Sequence, residues 1–393
     1  MIATSANYLQ RLLGRVSLRF ADAEFESAAR FAELFWSRIQ EEDFLSRDVE
    51  DDAGAVVDCW RLFNNRRREE IEIYVGNPVH ARDGWQSSHT IVRIIAPDMP
   101  FMVDSILMAL SHHGLITHQL NNVVFGVDRA ANGAVEKLTL AHNHPSKELF
   151  IYAEIDRVNT EDLDELKRHL QETTADLEVV VTDFQPMKDQ LQEIIGELTQ
   201  AQLPLPTQEL EEAVAFLEWF AKLNFTFLGY REFTYTDDTI RQSPHVLGVL
   251  RKRARASERK LSQQPATTQA FLLAPTVLSF SKSGTKSRVH RHAYPDYVGI
   301  KKFDSAGNVI GEKGFLGLYT SRVYVESPGS IPVIRRKVAS VIERSDLDPN
   351  GFDGKVLTQV LANYPRDELF QIDEALRMSD KKQRESSFMA ATR

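Results

Sequence analysis

Thr90-Ile91-Val92-Arg93-Ile94-Ile95-Ala96-Pro97-Asp98-Met99-Pro100-Phe101-Met102-Val103-Asp104-Ser105 is the stretch from which the fold can be read. Its first six residues are rich in β-branched side chains and predict a strand that stops at Pro97. Met102, Ile106, Leu107 and Leu110 then fall at helical spacing, and Gly114 is a good residue to end that helix. Downstream, a long strand is expected at about residues 115–127, and Asn132-Gly133 marks a hairpin turn to a partner at about 135–140. Leu149–Ile155 continues or replaces that partner across the His144-Pro145 break. A charged helix at about Thr160–Gln171 opens on Thr160-Glu161-Asp162, and a final strand is expected over Leu177–Thr182.

The order βαββαβ is that of a ferredoxin-like sandwich. Around it the pattern divides further. Residues 1–85 read as helices followed by a short strand at Ile71–Val75, after the basic run Arg66-Arg67-Arg68. Residues 86–185 form the βαββαβ unit, and 186–224 a helical linker broken at Leu203-Pro204-Leu205-Pro206. From Phe225 to about 330 the pattern is β: Phe225–Phe233, Thr276–Phe280, Arg288–His292, Tyr297–Phe303 and Phe315–Tyr319, with a turn at Gly307-Asn308 and an exposed helix over Arg251–Lys260. Antiparallel strands with few helices predict a PAS-like or GAF-like α+β domain. Residues 331–378 are helical, and the polar tail 379–393 is expected to be disordered. The fold class is thus α+β, with flanking helices.

Length and composition narrow the function. A chain of 393 residues allows roughly two to three domains. Hydrophobic content of 42% and charged content of 26% fit a soluble globular protein. The net charge of −9 argues against nucleic acid as a partner. No apolar run approaches the roughly 20 residues of a membrane span, and no signal peptide opens the chain. The single cysteine, Cys59, allows no internal disulfide and reads as a buried side chain in a reducing cytoplasm. No Walker loop, nucleophile elbow or zinc helix occurs, and the Gly307, Gly311, Gly314 and Gly317 spacing lacks a dinucleotide-binding context.

Two constellations remain. Asp98, Pro100, Phe101, Asp104 and Ser105 surround a strand-to-helix junction, where helix N–H groups can hold a carboxylate. The basic group Arg288, His290, Arg291 and His292, with Tyr297 beyond it, suits an anion or an acidic interface, because guanidinium matches carboxylate. On a strand, Arg288, His290 and His292 would share one face. Two histidines without a third ligand do not predict a metal. His112 and His113 read as helix-end residues favoured by the dipole.

The segments Ala96–Ser105, Phe225–Phe233, His290–Lys302, Gly314–Gly329 and Tyr364–Phe370 together resemble the non-catalytic N-terminal half of the large bacterial NAD-dependent glutamate dehydrogenases. The junction at Ala96–Ser105 is similar to the loop of ACT domains, which bind amino acids. Phe101 stands where that loop usually has glycine. The resemblance implies ACT-like and PAS-like modules acting in regulation and oligomerisation. The parent enzyme would deaminate L-glutamate to 2-oxoglutarate and ammonia. No catalytic residues and no cofactor are expected in this chain; NAD would bind only in a catalytic domain it lacks. Expected partners are a second copy, the remainder of the dehydrogenase and an amino-acid effector. The alternative is a stand-alone metabolite sensor that acts through a protein partner.

Overall fold

The computed structural model describes residues 5–36, 48–66, 70–253 and 258–371. These divide into two compact units: residues 1–181 with Arg288–His292, and residues 182–287 with 293–393. Arg67, Arg68, part of the expected Arg251–Lys260 helix, and the tail lie outside the described residues.

In the first unit, helices α1 (Ser5–Ser17), α2 (Asp22–Trp36) and α3 (Val49–Asn64) precede strand β1 (Glu72–Gly76) and a single helical turn, α4 (His80–Asp83). Asp48 caps α3 by accepting from the Glu50 N–H at 2.8 Å, and Glu50, Asp51 and Asp52 follow in its first turn. Then come β2 (Thr90–Pro97), α5 (Met102–His112), β3 (Thr117–Arg129), β4 (Val135–Leu140), β5 (Lys147–Ile155) and α6 (Leu163–Thr182). The five strands form one antiparallel sheet in the order β1-β2-β5-β3-β4. Both β4 and β5 exist, so Leu149–Ile155 adds to the hairpin partner instead of replacing it.

One expectation for this sheet fails. Residues 177–182 are not a strand but the last turns of α6. Leu166, Leu170, Leu177 and Val180 keep helical spacing and are all buried, so burial on one stripe overrides the β-branched propensity of Val179-Val180-Val181. The outer edge of β2 is instead occupied by β1, which comes from before the unit. The ferredoxin-like order therefore lacks its last strand.

The central strands β2 and β5 are buried on both faces. On one side, α1–α3 enclose Ile91, Ile95, Val123, Phe125, Phe150 and Tyr152 in an aromatic core with Phe31, Phe35, Trp36, Trp60 and Phe63. Phe31 alone lies within 5.8 Å of five other rings. On the other side, Val92, Ile94, Ile151 and Ile155 are fully buried, and α5 packs on β3. Buried charges stitch α3 to the sheet. Glu148 of β5 pairs with Arg66 at 2.8 Å and accepts twice from Arg129, at 2.8 and 2.7 Å. Arg129 also donates to the Phe63 and Gly133 carbonyls. Burial pushes the Glu148 carboxyl up, but the Arg129 hydrogen bonds and the two guanidinium charges outweigh it and hold it below the usual range. Cys59 is buried as expected, and burial pushes its thiol up to about 12.

The second unit contains α7 (Phe184–Gln200), α8 (Thr207–Trp219), a π-turn (Phe220–Asn224), β6 (Phe225–Thr236), β7 (Thr239–Gln242), β8 (Leu247–Gly248), β9 (Arg259–Lys260), α9 (Ala266–Leu273), β10 (Leu278–Lys282), β11 (Asp296–Phe303) and β12 (Val309–Tyr319). Helices α10 (Ser321–Val325), α11 (Ile334–Arg344), α12 (Phe352–Asn363) and α13 (Arg366–Gln371) complete it. The antiparallel sheet runs β10-β11-β12-β6-β7-β9, with β8 on β6. Val298, Ile300, Phe315 and Tyr230 point into a core shared with α7, α8 and α11–α13. Arg251–Arg253 is a 3-10 turn and Arg259-Lys260 a strand, so the helix expected over 251–260 is absent at both described ends.

Candidate functional site

Arg288–His292 is not a strand. The ladder between β10 and β11 ends at the Lys282–Asp296 pair, and the chain beyond it bends, with His290 at φ 69°. The alternation expected for Arg288, His290 and His292 therefore does not apply. Released from a sheet, these five residues belong to the first unit.

There they meet the other sequence-selected group. Phe101 precedes α5 in the left-handed conformation, φ 66° and ψ 5°, which glycine adopts freely and a phenylalanine adopts at a cost. Its ring centroid lies 4.4 Å from that of His290. The His290 backbone N–H donates to the buried Ser105 hydroxyl at 3.0 Å, and the His290 ring is 4.0 Å from the Asp104 carboxylate. Burial, then the charge of Arg291, holds the His290 imidazole below its usual range, against the opposing pull of Asp104. Asp98 and Pro100 stay exposed. Of the five junction residues, Phe101, Asp104 and Ser105 are thus brought together with His290.

Arg288 reaches α6, pairing with Glu172 at 3.0 Å and lying 3.8 Å from Asp176. Sequence reading selected neither acid, because both sit in a charged helix whose exposed face carries many others. His292 lies near His112, ring centroids 5.5 Å apart, while His113 reaches His169 of α6. Among the described residues, no three His, Cys, Asp or Glu side chains are arranged to hold a metal.

Tyr297 lies elsewhere, in the second unit. It is buried on the sheet face opposite the helical core and donates to Glu312 at 3.0 Å. Glu312 also accepts from Lys301 at 2.6 Å and from Ser279 at 3.0 Å. Burial, then the Glu312 charge, raises the Tyr297 phenol, so it is a neutral donor at any ordinary pH. The floor beneath is glycine: a Cβ on Gly314 would lie 1.9 Å from the Tyr297 hydroxyl, and one on Gly299 2.5 Å from Glu312. Lys301 and Glu312 face each other directly in the β11–β12 register, a pairing set by the Gly307-Asn308 turn.

With this geometry in view, comparison with known proteins gives a consistent result. The family profile described as "Glutamate dehydrogenase, ACT1 domain" matches residues 31–170, and that described as "Glutamate dehydrogenase, helical motif 1" matches residues 331–376. The chain is thus an α+β protein carrying two glutamate dehydrogenase modules. An NAD-specific glutamate dehydrogenase of Pseudomonas aeruginosa is 38% identical over 384 residues, 95% of this chain and 24% of the relative. One of Halomonas elongata is 35% identical over 377 residues, 93% of this chain and 23% of the relative. This chain belongs to the NAD-specific glutamate dehydrogenase family, and it corresponds to the N-terminal part of those relatives and spans about a quarter of their length.

Proposed function

We propose that this chain is a regulatory and assembly segment of an NAD-dependent glutamate dehydrogenase and performs no chemistry itself. The parent reaction is oxidative deamination of L-glutamate to 2-oxoglutarate and ammonia in the cytoplasm. On this reading the first unit is ACT-like and the second PAS-like, and the chain works by self-association and by contact with the rest of the enzyme. NAD binds outside these residues.

The observation that carries the proposal is the state of the α5 junction. Phe101 keeps the backbone conformation of a ligand-binding glycine loop, yet its ring and the Ser105 hydroxyl are engaged by His290 of the same chain. A free amino acid would have to displace that contact, so effector binding at Asp98–Ser105 and rearrangement of Arg288–His292 are one event. A ligand that binds only the displaced state would shift the balance between them.

The test uses purified chain and its Arg288→Ala variant. The chain should show no glutamate-dependent NADH formation. It should sediment as an oligomer, and the variant should either dissociate more readily or bind glutamate or 2-oxoglutarate differently by calorimetry. Activity that is lost on a substitution within this chain would overturn the proposal. A monomer that binds neither compound would do the same.

A further inference from the structure

We propose that His113 and His169 form a proton-sensing joint that holds the end of α5 against α6, and that acidification opens it and loosens residues 288–292. His113 Nε2 and His169 Nδ1 face each other at 2.8 Å. Two ring nitrogens at that distance can share one proton: one ring donates and the other accepts. When both rings are protonated, two N–H groups point at each other and the bond is lost.

The surroundings make the second proton costly. The His112 ring centroid lies 5.4 Å from that of His169 and 5.5 Å from that of His292, so four imidazoles lie in one chain of ring contacts. From α6, Arg168 and Glu172 pair with each other at 2.7 Å, and Glu172 and Asp176 face Arg288. The segment itself brings the charges of Arg288 and Arg291, and His290 with Asp104 of α5 beside it. Glu172 and Asp176 thus lie against arginines. Other histidines of this unit differ: His118 lies 2.7 Å from Asp156, His89 3.5 Å from Glu154 and His144 3.4 Å from Asp128. Among the described residues, no carboxylate lies within ion-pair distance of His113 or His169.

Partial burial, followed by the charges of His113, Arg288 and His112, holds the His169 imidazole below the usual value of 6.5, against the pull of Glu172. The folded value is lower than the unfolded one. The joint's contribution to stability is therefore complete above about pH 6.5 and is lost as pH falls below it. His292 is carried by residues 288–292 and leans on His112, so opening the joint removes one side of the support for that segment.

This inference is independent of the parent enzyme, because it is read on the chain alone. Hydrogen exchange, corrected for its intrinsic pH dependence, should be followed at residues 108–116 and 288–292 from about pH 7.5 to about pH 5.5. In the native chain, protection at both places should fall by about tenfold or more. In His169→Gln, whose side chain does not titrate, protection should stay level across the range. A level profile in the native chain, or an equal fall in the variant, would overturn the proposal. If far-UV dichroism shows that the variant is unfolded, imidazole NMR titration of the native chain decides. Unequal, coupled titration of the two rings supports the joint, and two independent curves centred near about 6.5 refute it.

Discussion

At the scale of single residues, the most informative positions are those where a side chain and its backbone disagree. Phe101 occupies a left-handed conformation that costs an ordinary residue about 1–2 kcal/mol. Phe101→Gly should change stability by no more than about 1 kcal/mol, because relief of strain offsets the lost ring contact. Phe101→Val should cost about 2 kcal/mol, since a β-branched residue tolerates positive φ worst. Urea unfolding of the two variants checks the contrast. Glu148 makes the opposite case, a charge that fits its place. Glu148→Gln leaves Arg66 and Arg129 buried with a weaker acceptor and should cost about 3–5 kcal/mol. The carboxyl is held below its usual value, so its contribution is present at neutral pH and lost as pH falls through that lowered value. The acid limb of the stability curve should therefore flatten in the variant. The sequence showed Phe101 standing in glycine's usual place but could not show that the backbone keeps glycine's conformation. The partners of Glu148 are 82 and 19 residues away, and no local pattern signals such a triad.

Among elements, periodicity was legible where one face of a segment meets one environment. The β4 limits Val135–Leu140 follow from the Asn132-Gly133 turn and alternation, and α5 follows from its apolar stripe. Residues 177–182 misled because three successive valines favour a strand locally, while the stripe from Leu166 to Val180 extends the helix through them. Residues 288–292 misled because alternating basic residues imitate a strand face, although no ladder partner exists for them. Strand glycines carry a separate test. Tyr297 is buried and bonded to Glu312, so it cannot swing aside, and Gly314→Ala should cost about 1–3 kcal/mol from overpacking. Gly196, inside α7, has nothing within 4 Å of a new Cβ. Gly196→Ala should stabilise by about 0.4–1 kcal/mol. Thermal unfolding of the pair separates close packing from mere helix propensity.

At the scale of the whole molecule, two hydrophobic cores stand apart in sequence and composition. One is built from α1–α3 and the first sheet, the other from α7, α8, α11–α13 and the second. Each unit has the means to fold around its own core. Calorimetry of the chain should resolve two transitions, and Glu148→Gln should lower only one of them. A single transition shifted as a whole by that substitution would show the units to unfold as one body. The α+β class and the presence of two sheets were legible from strand counts. The assignment of residues 288–292 to the first unit was not, because it depends on partners in α5 and α6 that lie more than a hundred residues earlier.

The aromatic packing also equips the chain with optical reporters. Its four tryptophans, Trp36, Trp60, Trp85 and Trp219, are all at most 9% exposed. Three lie in the first unit and one in the second. Native emission should be blue-shifted and dominated by the first unit, with Trp36 and Trp60 among neighbouring phenylalanines. Replacing Trp219 with phenylalanine would leave an intrinsic signal from the first unit alone. Replacing the other three would isolate the second, so that the melting of each half could be watched by colour without attaching a dye.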